Sequence, residues 1–596
     1  MLKLLNVISL LLLLTQLLLF LRLRRIIPYM ISVLLTLILA LLILPPRPFI
    51  SVQLCNSRST DMFNQKSSHR PSVMTHQFST IPKAEIPRST FDRSHGYKTT
   101  LDAGYLIPFY VDEALPGDTF NLKTTALARL ATPIFPIMDN MYMDTFYFSV
   151  PVRLLWDNWQ KFNGEQKNPN DSTDYTIPST SPQSTGYEIG SLSDYMGIPT
   201  GIHCNHSALW HRAYNLIWNE WFRDQNLQSS VPVPTDDGPD DQNNYTLLRR
   251  GKRHDYFTSA LPWPQKGPGV QIPLGTQAPI IGLLSKGAST IAGSNWYDIN
   301  SKELYPSANR IWNGEDFGDS NNVAFAEASP AGLNVYADLS QASAATINSL
   351  RQAFQIQKVF ERDARGGTRY TELLKSHFGV TSPDARLQRP EYLGGGSSPV
   401  IISPIPQTSP TGTYANTPQG NLAAVGTVNI NNHGFTSSFT EHCILIGLVS
   451  VRADLTYQNG LNRMWSRLTR FDYYWPALSH IGEQAVLQKE IYLSEDTTEN
   501  DKVFGYQERY AEYRYKPSLI TGLLRSSASQ SLDSWHLSQN FVNAPILTDI
   551  FIQENPPLDR CIAVPSEPHF IFDSYIQMRC ARPMPVYGVP GLIDHF

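Results

Sequence analysis

Charged side chains are scarce in this chain. They make up 17% of its 596 residues, where about 25% is usual for soluble domains. Aromatics reach 11%, with 43 prolines and 36 glycines. Low charge combined with rings and turn-formers points to a loop-rich β protein that hides much of its surface against neighbours. Cysteine is also scarce. Cys55, Cys204, Cys443, Cys561 and Cys580 are odd in number and widely spaced, which excludes a disulfide framework and a paired-cysteine zinc site and suits a reducing cytosol.

An excess of positive charge is missing too. The net charge is −4, and residues 1–61 hold six Lys or Arg against the single acid Asp61, leaving 42 basic and 51 acidic side chains in the rest. A net-acidic body excludes bulk electrostatic binding of nucleic acid, so any such contact must be local. Catalytic signatures are absent: there is no G-x-S-x-G, no phosphate-binding P-loop and no H-E-x-x-H. Gly394, Gly395 and Gly396 precede Ser397 rather than a lysine and read as a linker. His203, Cys204, His206 and His211 lie close together, but their spacing matches no zinc pattern and they read as packing residues. No catalytic residue, metal site or cofactor is expected, and the chain reads as a non-enzyme.

The chain opens on two apolar runs, Leu4 to Leu21 and Ile26 to Leu44, split by Arg22, Arg24 and Arg25. Each is long enough to span a bilayer, so the head alone reads as a transmembrane hairpin. Beyond it, residues 62–100 are polar and proline-punctuated and read as an extended arm.

Period-two alternation predicts strands at Tyr105 to Val111, Thr119 to Leu130 and Met141 to Val150. In the last, Tyr142, Phe146, Phe148 and Val150 share a face that only Asp144 interrupts. Later strands are expected at Ile444 to Val451, Ala485 to Ile491, Phe504 to Tyr515 and Phe570 to Met578. On the last but one, alternating faces would account for Tyr506, Arg509, Tyr510, Tyr513, Arg514 and Tyr515.

Helical spacing marks Ser207 to Phe222, with Leu209, Ala213, Leu216 and Ile217 inward, and Ala345 to Ala364, with Ile347, Leu350 and Phe354 on one core stripe. A shorter helix carries Tyr370, Leu373 and Leu374 and stops at Gly379. Three stretches rich in Ser, Thr, Asn, Pro and Gly, at about 163–200, 267–331 and 397–434, read as surface insertions.

Long ordered words carry a resemblance. They include PRSTFDRSHGYKTTLDAGYLIPFYVDEALPGDTFNLKT from Pro87, LLRRGKRHDYFTSALPWPQKG from Leu247, ATINSLRQAFQIQKVFERDARGGTRYTELLKSHFGV from Ala345 and SPDARLQRPEYLGGGS from Ser382. FTEHCILIGLVSVRADLTYQNGL from Phe439, FGYQERYAEYRYKPS from Phe504 and VPGLIDHF from Val589 follow. In these words the chain resembles the major capsid proteins of gokushoviruses, small single-stranded-DNA phages of the microvirus family.

The resemblance implies an all-β fold, an eight-stranded antiparallel jelly roll with large loop insertions and a few short helices, occupying residues 101–596. It implies a T=1 icosahedral shell of about sixty copies around circular single-stranded DNA, assembled in the bacterial host cytoplasm. Other implied partners are a small basic DNA-binding protein, an internal scaffolding protein and a host surface receptor. The family-like text begins only after Met62, so residues 1–61 are expected to be a wrong-start artefact. The rival reading, which takes the head at face value, is a membrane-anchored β-rich surface or carbohydrate-binding protein.

Two groups of residues are candidates for contact. In the resembled family one large insertion forms a protrusion at the three-fold axes, assigned here to 267–331, and Trp296, Tyr297 and Trp312 would be its host-contact residues. The densest basic word is Arg249, Arg250, Lys252, Arg253 and His254, followed by Tyr256 and Phe257. Cations beside rings suit a single DNA strand, and equally a subunit interface facing acidic neighbours.

Overall fold

Alternating burial dictates the largest elements of the fold. Seen in the computed structural model, which describes residues 87–267, 280–281, 336–337, 347–408 and 419–587, the chain begins with strands Ser89–Asp92 (β1), His95–Leu101 (β2), Ile107–Ala114 (β3), Thr119–Leu130 (β4) and Met141–Pro151 (β5). Helices Leu209–Ile217 (α1), Ile347–Gly366 (α2) and Tyr370–Phe378 (α3) follow. The chain then returns to strands: Glu391–Pro399 (β6), Ile401–Pro406 (β7), Leu422–Ser438 (β8), Cys443–Ala453 (β9), Glu483–Leu487 (β10), Val503–Glu508 (β11) and Phe570–Arg582 (β12). The leucine-rich head and nearly all of 267–331, with Trp296, Tyr297 and Trp312, lie outside the described residues. Among the described residues no helix is long and apolar enough to cross a membrane.

Two antiparallel sheets face each other. The first runs β1, β12, β4, β8, β7, with β2 also on β12, and the second runs β6, β5, β9, β3. Both β4 and β12 alternate strictly between buried and exposed residues, because one face meets the core and the other meets solvent. Phe570, Phe572, Ile576 and Met578 of β12 point inward onto Phe109 of β3 and Tyr147 of β5. Phe109 sits edge-on to Phe572 at 5.8 Å and to Tyr147 at 5.7 Å. Each such side chain contributes about 1.5–3 kcal/mol by leaving water.

The central strands of the second sheet, β5 and β9, are buried on both faces. Met141, Met143 and Tyr147 of β5 face the first sheet, whereas Phe148 and Val150 meet a second core beneath α1. There Tyr214 of α1 donates to the Leu106 carbonyl at 2.8 Å. The expected one-faced stripe on β5 is therefore only half of its buried surface. α1 runs on into a single π turn, Trp218–Phe222, and α3 ends as expected, with Gly379 in the left-handed conformation at φ 70.

Several expectations are corrected. The stretch 397–434 is not a loose insertion: it supplies the end of β6, all of β7 and most of the 17-residue β8. Nor are Gly394 to Gly396 a linker, since they pair with Tyr147, Phe146 and Thr145 of β5. A Cβ on Gly395 would lie 2.0 Å from the Thr145 carbonyl oxygen, and one on Gly396 2.5 Å from the His433 ring, so the strand can lie there only without side chains. The arm's last residues are β1 and β2, hydrogen-bonded to β12.

Ala485 to Ile491 is a short strand followed by a helical turn at Gln488–Ile491. Phe504 to Tyr515 is strand only to Glu508; Tyr510 then takes φ 64 and opens a 3-10 turn, Ala511–Tyr513. The rings after Glu508 therefore do not alternate across a strand. The α2 stripe was expected in the core, yet Leu350 is only half-buried and Phe354 is 62% exposed.

Candidate interaction surface

The basic word is mostly internal. Arg249 lies over the Tyr105 ring at 3.9 Å and donates to the Glu554 carbonyl at 3.0 Å and to Asn555 Oδ1 at 3.1 Å. Gly104 permits this approach: a Cβ there would stand 2.1 Å from the Glu554 oxygen. Arg250 Nη1 donates to Asp144 Oδ2 at 2.7 Å, and Arg452 Nε donates to the same oxygen at 2.8 Å. Burial works against a charge on Asp144, but the Ser397 hydroxyl and the two guanidiniums outweigh it and hold the carboxyl below its ordinary range. Arg253 and His254 are exposed, with Arg253 Nη1 3.7 Å from Asp454.

Lys252 is buried. Its ammonium donates to the Phe551 carbonyl at 2.6 Å and to Gln539 Oε1 at 3.1 Å. Burial pushes it down to about 8, with Glu554 and Asp255 opposing only in part. Between that value and its ordinary 10.5 the folded chain binds fewer protons than the unfolded chain, so this group makes stability rise with pH over that window. Lys252→Met should abolish that rise, as measured by urea denaturation on either side of the window. A variant whose pH dependence matches the parent would show that Lys252 is not desolvated.

A cleft of about 650 Å³ opens beside this segment, lined in part by Phe146, Trp221, Arg250, Lys252, Arg365 and Arg369. Its cations are already partnered: Arg365 with Glu483 at 2.5 Å and Arg369 with Glu372 at 3.0 Å. His206 and His211 are committed as well. His206 Nε2 meets the Tyr187 hydroxyl at 2.8 Å, and His211 Nε2 meets Ser193 Oγ at 2.8 Å. Burial, reinforced by His206, pushes His211 down to about 3, so it is a neutral imidazole at pH 7.

The most distinctive surface is one that the sequence reading passed over, Arg463 to Trp475 packed beside Arg509 to Tyr513. Trp465 is 69% exposed and Leu468 92%, and Phe471, Tyr473 and Tyr474 are each at least half exposed. The backbone beneath them is held firmly. Asp472 Oδ2 accepts from Leu468 N at 2.9 Å, Thr469 N at 2.7 Å and Thr469 Oγ1 at 2.9 Å, which keeps its carboxyl below the ordinary range.

Arginines support the rings. Arg467 lies over Tyr513 at 4.2 Å and pairs with Glu512 at 3.4 Å, while Arg470 lies over Trp475 at 4.4 Å. Exposed Trp, Tyr and Arg on a pinned backbone have the composition of an interface hot spot. Leaving that much ring surface in water is unfavourable unless a partner covers it. The signal was available in the sequence as aromatics with neither helical nor strand spacing, flanked by arginines.

The family model described as Capsid protein (F protein) matches residues 79–592. The chain is 48% identical over 530 residues to Capsid protein VP1 of Bdellovibrio phage phiMH2K, covering 87% of this chain and 98% of the relative. It is 46% identical to Capsid protein VP1 of Chlamydia phage 1 over 593 residues, covering 88% and 99%. Capsid protein VP1 of Spiroplasma virus 4 is 36% identical over 552 residues, covering 89% and 99%.

Proposed function

The chain belongs to the capsid protein (F protein) family and is a major capsid protein of the gokushovirus kind, and from that premise we propose that it closes with about sixty copies of itself into a T=1 shell around circular single-stranded DNA. The role is structural and its place is the virion. Function comes from association: contacts repeated by symmetry stabilise a particle without any one strong bond. The observation that carries this reading is the arginine-braced aromatic surface from Arg463 to Trp475, with the exposed Phe354 of α2 as a second place that a neighbouring copy would cover.

The fold we propose is the eight-stranded jelly roll, in which a doubled-over chain pairs its first strand with its last. The pairings support it. β2 pairs β12, β3 pairs β9, β4 pairs β8 and β5 pairs β6, all antiparallel. Nesting of that kind is what wrapping one long hairpin into two sheets produces. The insertion 267–331 would form the three-fold protrusion that meets a host receptor, and an internal scaffolding protein and a small basic DNA-binding protein would be the other virion partners. Assembly would take place in the host cytoplasm.

The test is assembly. Trp465→Glu with Leu468→Glu puts two carboxylates where a neighbour's apolar surface would sit. Electron microscopy and sedimentation should show particles lost while circular dichroism stays that of the folded subunit, because neither side chain is part of the core. Particles at normal yield would rule this surface out as an assembly contact.

A further inference from the structure

The two sheets differ in what covers them. The second lies between the first sheet and α1, whereas among the described residues nothing packs on the outer face of β4 and β12 in the first sheet. Register orders that face into rows across β12 and β4. Ile571 stands beside Arg129, Asp573 beside Leu127, Tyr575 beside Thr125, Gln577 beside Lys123 and Arg579 beside Asn121. β2 adds Lys98 next to Asp573, and β1 adds Asp92 next to Arg579.

In a chain of net charge −4 this face is positive. Lys98 is neutralised by Asp573 at 2.6 Å, and Asp92, which accepts from Ser94 N and Oγ at 3.0 and 2.5 Å, stays ionised beside Arg579 and offsets part of its charge, so the four cations of the face outnumber its two carboxylates. Lys123 and Arg129 are exposed and make no ion pair or hydrogen bond among the described residues. They stand six positions apart on one strand, about 20 Å at strand rise. Arg579 is a diagonal neighbour of Lys123. Between Arg129 and Lys123 lies the Tyr575 ring, 51% exposed, with Thr125 and Gln577 beside it. The exposed large apolar side chains of β4 and β12, Leu127 and Ile571, are set among polar and charged ones, unlike the aromatic hot spot described above.

We propose that this bare face lines the shell interior and binds the packaged single-stranded DNA without regard to sequence. Lys123 and Arg579 neutralise phosphates at one end of the face and Arg129 neutralises one several nucleotides further along the strand, with a base stacked on Tyr575 between them. Spaced cations, a stacking ring and neutral hydrogen-bonding groups are what a single strand requires. The proposal rests on the shell reading and adds which face of the subunit is the inner one.

The test uses the full chain and a fluorescent oligothymidylate, with affinity measured by anisotropy across a salt series. Each phosphate contact on a single strand contributes about −0.7 to the slope of log K against log salt. The triple variant Lys123→Gln, Arg129→Gln, Arg579→Gln should therefore flatten the slope by about 2. Tyr575→Ala should weaken binding about tenfold with the slope unchanged, since stacking carries no charge.

Unchanged affinity and slope in the triple variant would overturn the proposal. So would a loss of particle yield by sedimentation with oligonucleotide binding intact, which would make the face a contact between subunits. If the parent chain formed no particles, the shell reading would fail, and the salt slope would still report on the face separately.

Discussion

Asp240→Ala is expected to destabilise the subunit by about 3–5 kcal/mol, the cost of stranding a buried charge. Arg212 projects from α1 into the core under the second sheet with none of its side chain exposed. Its Nε donates to Asp240 Oδ2 at 2.7 Å and its Nη2 to Asp240 Oδ1 at 2.6 Å, while Nη1 donates to the Leu155 and Asp236 carbonyls, each at 2.9 Å. The Tyr245 hydroxyl also donates to Asp240.

Removing the carboxylate leaves the buried guanidinium with only the solvent-exposed carboxylate of Asp236, 3.3 Å from Nη2, as counter-ion, in a domain whose whole stability is about 5–15 kcal/mol. Urea denaturation of the soluble subunit would measure the loss. The double variant Arg212→Met, Asp240→Ala should recover much of it, because the cost lies in the unpaired charge rather than in the absence of the pair. A single variant within 1 kcal/mol of the parent would show that the pair carries no such load.

Asp144→Ala should cost about 3 kcal/mol, near the lower end of the same range because Arg250 and Arg452 keep slight access to water. This carboxylate interrupts the apolar face of β5 and is the counter-ion of both guanidiniums. Its effect must depend on pH. A carboxyl held below its ordinary range in the folded chain stabilises above the unfolded value of about 3.9, and that contribution disappears as pH falls through the lower folded value. Denaturation at neutral pH and near pH 3 should show parent and variant far apart at the first and closer at the second. Equal gaps at both would mean that the pairing does not set the stability of Asp144.

Much of the body could be read locally. Thr119 to Leu130 is expected as a strand and is one with those bounds, because strict alternation on a one-sided strand is a property of consecutive residues. α3 and its glycine stop are legible for the same reason. β6 and β8 were not, since their Gly, Ser and Asn residues look like loop until Thr145 and His433 are seen pressing against the glycines. The α2 stripe misled in the opposite sense: amphipathic spacing shows that an apolar side exists and cannot show whether the same subunit covers it.

By itself the sequence determined the family, the β class, the acidic balance of the body and the positions of its regular strands, each of which is composition, ordered words or short-range period. The tertiary structure decided which charges are free. Arg250 reads as surface until Asp144, 106 positions away, is found beside it, while Lys123, Arg129 and Arg579 read as scattered until strand pairing sets them on one face. Charge becomes a site only through neighbours, and in a fold that pairs its first strands with its last those neighbours are distant in the chain.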